Sequence, residues 1–139
     1  MEGNALPEGL SCIRRRSYLS MLTWMVIAGV VAAFLLLKYL GQVSRADARA
    51  WLAKGALVID VRSEAEFQER HLPGAINIPL NRLSAEVSRY ATNKDQPLLL
   101  HCLSGARSGM GARTLRRLGY PHAFNLGSYG RAEKIVRGQ

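Results

Sequence analysis

Apolar and polar positions divide the chain into two unlike parts. Ser17 to Leu37 carries no charge, and from Leu19 to Leu37 it is almost wholly apolar. About 20 residues rising about 1.5 Å each give about 30 Å, the thickness of a hydrocarbon core. Tyr18, Trp24 and Tyr39 lie towards the two ends, where aromatic rings prefer a membrane interface. The pattern predicts a transmembrane helix over residues 18–40, preceded by a mobile basic tail over 1–17 that contains Arg14-Arg15-Arg16. Those arginines also suit the n-region of a cleaved signal peptide. The apolar stretch exceeds a typical h-region, however, and the small-x-small site Ala46-Asp47-Ala48 lies beyond Lys38 and Arg45. An uncleaved single-pass anchor is the expectation.

Beyond Gly41-Gln42-Val43 the pattern changes to short alternating elements. Ser44-Arg-Ala-Asp47 opens a capped helix that closes at Lys54-Gly55. Ala56 to Val61 is a β-branched strand, and Ser63-Glu-Ala-Glu66 fits a capping box for a short helix through Arg70. Pro73-Gly74 marks a turn before a short strand, Ala75 to Ile78. Leu80, Leu83, Val87 and Tyr90 recur at helical spacing. The bare run Leu98 to Leu100 reads as a buried strand, Ala106 to Leu118 as a helix closing on Gly119, Ala123 to Leu126 as a strand and Ser128 to Val136 as a last helix. This alternation predicts one α/β domain over residues 43–137, a parallel sheet flanked by helices. Sites in such sheets lie beyond the carboxyl ends of strands, where Asp60-Val61-Arg62 and Cys102 both fall.

Cys102 carries the candidate chemistry. The Leu98 strand delivers it into Leu103-Ser104-Gly105-Ala106-Arg107-Ser108, a small-residue loop at a helix start. Backbone N–H groups of such a loop can converge on one point, and the helix dipole adds positive potential, so a thiolate there is stabilised and an anion is held. The competing reading is an inert cysteine buried at a strand end. Ser104, Gly105 and Ser108 add no apolar bulk to a core, which favours a site. Arg107 in the first helical turn opposes the dipole and calls for an anionic partner, either substrate or a buried carboxylate. Asp60 reads as structural support, capping the loop or pairing with an arginine. Arg62 is open between facing an anion and being solvated. Glu66 completes the capping box or pairs with Arg62 or Arg107. His101 neighbours the thiol but points to the opposite face of a strand, so it is not assigned as its base.

Two motifs then carry a resemblance. Cys102-Leu-Ser-Gly105-Ala-Arg107-Ser108 resembles the active-site loop of the rhodanese (sulfurtransferase) family. So does Asp60-Val-Arg62-Ser-Glu-Ala-Glu66-Phe followed by His71-Leu-Pro73-Gly74-Ala75-Ile-Asn77-Ile-Pro79, and the likeness spans roughly Val43 to Val136. The resemblance implies sulfur transfer from a small anionic donor such as thiosulfate, through a Cys102 persulfide, to a thiol or protein acceptor, without a cofactor. It also implies that Asp60 supports the active loop. Where the family commonly has a paired-glycine turn and a tryptophan helix, this chain reads Gly127-Ser128-Tyr129-Gly130. Two other readings stand beside it. One is a non-turnover persulfide carrier or anion-binding module for a membrane partner. The other is a cysteine phosphatase, disfavoured because Cys102 to Arg107 is Cys-x4-Arg rather than Cys-x5-Arg and no general-acid aspartate is evident.

Composition changes this picture little. A formal net charge of +9 and a pI near 10.3 suit anionic partners, lipid headgroups or small anions. Basic residues are dispersed and no nucleic-acid motif is present, so nucleic acid is not expected as a partner. Cys12 and Cys102 do not make a disulfide framework, and three scattered histidines offer no metal-ligand spacing. The bilayer is expected as a partner and a bacterial inner membrane as the location. Arg14 to Arg16 before the span nearly balance Lys38, Arg45, Arg49 and Lys54 after it. A persulfide-forming thiol suits a reducing compartment, which places the domain on the cytoplasmic side.

Overall fold

The computed structural model describes residues 9–138, and within the first helix it describes side chains from Ser20 to Leu36. That helix, α1 (Gly9–Leu40), is continuous, so the boundary expected between residues 17 and 18 falls inside it. Residues 1–8 and the side chain of Cys12 lie outside the described residues. Among the described residues no helix is long and apolar enough to cross a membrane. This overturns the expected transmembrane helix, and with it the membrane localisation and the bilayer as partner.

Residues 38–139 form a second compact unit. It contains α2 (Arg45–Ala53), β1 (Leu57–Asp60), α3 (Glu64–Glu69), β2 (Ile76–Asn77), α4 (Leu83–Tyr90), β3 (Leu98–Cys102), α5 (Ala106–Arg117), β4 (Ala123–Ser128) and α6 (Tyr129–Val136). The strands lie in the order β2-β1-β3-β4, and all three pairings are parallel. Ser44, Ser63 and Ser128 cap α2, α3 and α6 by accepting a backbone N–H, and Ser63 with Glu66 forms the full capping box. Helix α4 starts at Leu83 rather than Leu80. The Arg82 N–H donates to the Pro79 carbonyl at 2.8 Å and closes a turn there first.

Strand β3 is central and buried at all five positions. Its side chains alternate between faces. Leu98, Leu100 and Cys102 join Ile59, Val61, Leu83 and Leu115 in one cluster, while Leu99 joins Val58, Leu72, Leu126 and Ile135 in the other. Each of the three leucines, fully buried, stabilises the fold by about 2 kcal/mol. Helix α5 closes onto this strand at Gly111, where an added Cβ would stand 2.9 Å from Leu100 Cδ2. The β3–β4 register shifts between Leu100 and His101, so that Gly127 lies opposite His101 and Ser128 opposite Cys102. That irregularity brings the Gly127 backbone up against the loop that follows β3.

Candidate active site

The site is built where β3 ends. Cys102 is buried, Gly105 adopts φ +95° at the start of α5, and its N–H donates to Cys102 Sγ at 3.1 Å. Leu103, Ser104 and Ala106 are exposed, Arg107 is half-buried, and Gly105 and Ser108 are buried. Burial pushes the thiol's pKa up, but backbone N–H groups of Ser108, Gly105 and Ser104 and the Ser108 hydroxyl more than offset this. The net result lies below the ordinary value of 9.0. This geometry favours the activated thiol over the inert core cysteine.

Behind the loop stands Asn125 on β4, which composition and spacing did not single out. Its Oδ1 accepts the Ser108 hydroxyl at 2.7 Å and the Gly127 N–H at 3.0 Å, while Nδ2 donates to the Gly105 carbonyl at 3.2 Å. The Ser108 oxygen also lies 3.6 Å from Cys102 Sγ. With one hydroxyl hydrogen it donates to Asn125 or to sulfur, not both. An asparagine in an otherwise apolar strand is the signal that was available, since it must find partners if it is to be buried. Gly127, at φ +100°, completes the packing: a Cβ on Gly105 would stand 3.3 Å from Gly127 Cα.

The charged residues are sorted by this frame. Arg107 donates to both carboxylate oxygens of Glu66 at 2.8 Å, so the cation in the first turn of α5 is offset by a protein carboxylate. Glu66 also accepts the Ser63 N–H at 3.0 Å, and it fills the capping and pairing roles together. Arg107 first and Ser63 second hold its carboxyl at about 2. Arg62 differs from its expected place among the anion-binding residues. Only 5% exposed, it donates to Asp60 through Nε at 3.0 Å and Nη2 at 2.7 Å, and to the Arg70 carbonyl at 2.6 Å. It lies over the Tyr129 ring, 4.7 Å from its centre. The buried Asp60 carboxylate captures it more strongly than solvent or a loosely held anion could. Asp60 thus pairs with Arg62 at the strand end.

His101 lies on the face opposite Cys102, with Nε2 3.8 Å from Asp60 Oδ2, and neither ring nitrogen has a hydrogen-bond partner among the described residues. Burial, partly countered by Asp60, pulls its pKa down to about 4, so it is neutral near pH 7. His71 Nδ1 meets the Phe67 carbonyl at 2.9 Å before the Pro73-Gly74 turn, and His122 lies against Trp51. Among the described residues, the hydrogen bonds to Cys102 Sγ come from Gly105 and Ser108 and none from a histidine.

Residues 44–130 match the rhodanese-like domain family. The chain is 42% identical over 71 residues to the uncharacterized protein YqhL of Bacillus subtilis, covering 51% of this chain and 55% of that one. It is 35% identical over 69 residues to the thiosulfate sulfurtransferase PspE of Escherichia coli, covering 50% and 66%. It therefore spans between half and two-thirds of the length of these relatives. Among solved structures, a rhodanese with anions from E. coli superposes with a TM-score of 0.53 at 32% identity, over 55% of this chain and 89% of that one.

Proposed function

This chain belongs to the rhodanese-like domain family, and from that premise we propose that it moves a sulfane sulfur from a small anionic donor of the thiosulfate type to a thiol, through a persulfide on Cys102. The observation that carries the reading is the Gly105 N–H on Cys102 Sγ at 3.1 Å, within a loop that lowers the pKa of a buried thiol. The Cys102 thiolate attacks the outer sulfur of thiosulfate, the donor's S–S bond breaks, and sulfite leaves with the bonding pair. The new persulfide carries one negative charge, which the N–H groups of residues 103–108 stabilise as an oxyanion hole stabilises oxygen. An acceptor thiolate then attacks the terminal sulfur, and Cys102 leaves as thiolate. Arg107 acts as a positioning residue: its pair with Glu66 ties the loop to α3. That engagement also weighs against phosphate-ester hydrolysis, which would need the guanidinium for substrate.

The full-length chain incubated with thiosulfate should gain one sulfur atom on Cys102 by intact mass, lose it to cyanide, and gain none as Cys102→Ser. A thiol that alkylates readily but never gains sulfur would overturn the reading.

A further inference from the structure

Gly105 carries the N–H that donates to Cys102 Sγ, and its own place is set from three sides. Behind it, Asn125 Nδ2 donates to its carbonyl. Beside it, the Gly127 backbone stands so close that a Cβ on Gly105 would lie 3.3 Å from Gly127 Cα. The third side is the half-buried Gln42 side chain, which packs against both glycines. A Cβ on Gly105 would lie 3.4 Å from Gln42 Nε2, and one on Gly127 would lie 2.9 Å from Gln42 Oε1. Both glycines have positive φ, +95° and +100°, and each presents bare backbone to that side chain.

Gln42 is anchored through its neighbour. The Val43 N–H donates to the Asn125 carbonyl at 3.0 Å, which fastens this segment to β4. Arg131 donates to the Val43 carbonyl at 2.6 Å and to the Leu126 carbonyl at 2.5 Å, which ties the segment and the strand to α6. Outside lies a cavity of about 380 Å³, lined by Gln42, Arg45, Ser104, Ser128, Arg131 and Lys134, and a shorter side chain at position 42 would extend it to the two glycines. The other ties of the loop lie one or two residues earlier. Ser104 bridges to Ser128, and the Tyr129 N–H donates to the Leu103 carbonyl at 3.4 Å. They hold residues 103 and 104, while Gly105 is gripped through its carbonyl from inside and by Gln42 from outside.

We infer that Gln42 is a positioning residue for sulfur transfer, the outer wall that keeps the Gly105 N–H aimed at Cys102 Sγ, with Val43 and Arg131 as its anchors; the inference rests on the sulfur-transfer reading above. A donor held in place stabilises a thiolate without having to reorient when charge appears, and a loosened one loses part of that effect. Residues 42, 43 and 131 lie just outside the matched stretch, 44–130, so the wall is built by residues that the family match does not include.

The experiment follows iodoacetamide labelling of the full-length chain against pH, read at Cys102 by peptide mass so that Cys12 does not enter. Burial opposes ionisation of Cys102, and the Gly105 N–H is among the donors that offset it. Gln42→Ala should therefore move the half-maximal pH upward and cut the labelling rate at pH 7 about three-fold, the order expected when one of several donors is loosened. Arg107, whose charge acts on the sulfur, is paired with Glu66 and is untouched by the substitution. Gln42→Met, close in length and volume, should restore the parent profile by refilling the wall. A side chain that only stabilised the fold would lower the urea midpoint when shortened and leave the profile in place, and that result overturns the inference. A methionine variant that behaves like the alanine one overturns it as well. Arg131→Lys keeps the charge but gives up the grip on two carbonyls, and should move the profile in the same direction. Combined with Gln42→Ala it should add little, since both act through one wall, and fully additive shifts overturn the anchoring. Loading from thiosulfate should slow in Gln42→Ala with its half-saturating concentration nearly unchanged. A parent chain that never loads sulfur would sink the earlier reading, while the labelling profiles still decide whether Gln42 holds Gly105.

Discussion

Arg107 and Glu66, 41 positions apart in sequence, meet through two 2.8 Å hydrogen bonds and join the first turn of α5, beside the Cys102 loop, to the capping box of α3. The pair is about one-third exposed on each side, so solvent screens it and its weight in stability is modest. Its larger effect is geometric, because it fixes the first turn of α5 from outside.

Acid should weaken this junction. The folded Glu66 carboxyl lies near 2, below its ordinary 4.5, so the unfolded chain binds its proton first as pH falls. The stability it contributes is complete above about pH 4.5 and fades towards pH 2. Glu66→Gln should lower stability near neutrality by on the order of 1 kcal/mol. It should also flatten the pH dependence in that window, as measured by urea unfolding.

Ser108→Ala should raise the pKa of Cys102. The variant loses a hydroxyl that stabilises the thiolate, while burial continues to oppose ionisation. The pH at which iodoacetamide labelling is half-maximal should move up towards the ordinary thiol range. An unmoved profile would assign the activation to backbone donors alone.

Asn125→Leu should cost more than either. It leaves the Gly105 carbonyl, the Gly127 N–H and the Ser108 hydroxyl without their buried partner, a loss of about 2–4 kcal/mol. The midpoint of thermal unfolding should fall, and sulfur loading should slow as the loop loosens.

His101→Leu should change the acid response without touching the thiol. The histidine is fully buried and its pKa sits at about 4, so the unfolded chain protonates first and stability falls as pH drops from about 6.5 to 4. The leucine variant should show no such decline in that interval. Near pH 7 it should match or exceed the parent in stability, because two unpartnered buried nitrogens are gone.

The sequence by itself determined the α/β alternation, the parallel sheet and the place of Cys102. Those follow from local periodicity, capping residues and strand ends, which neighbouring residues settle among themselves. Ser63 and Glu66 are an example: three residues apart, they form the capping box that their spacing predicts. Tertiary structure alone decided the rest. Arg62 could have faced an anion, and only the buried Asp60 carboxylate beneath it turned it inward. Asn125, paired opposite Leu100 in β3, acquired its role when the loop after β3 folded back against it. Arg45 and Lys134, 89 positions apart (134 minus 45), became one cavity wall because α2 and α6 pack against each other. A charged or polar side chain takes its direction from the nearest group that can satisfy it, and in each of these cases that group, or its placement, came from folding rather than from local sequence.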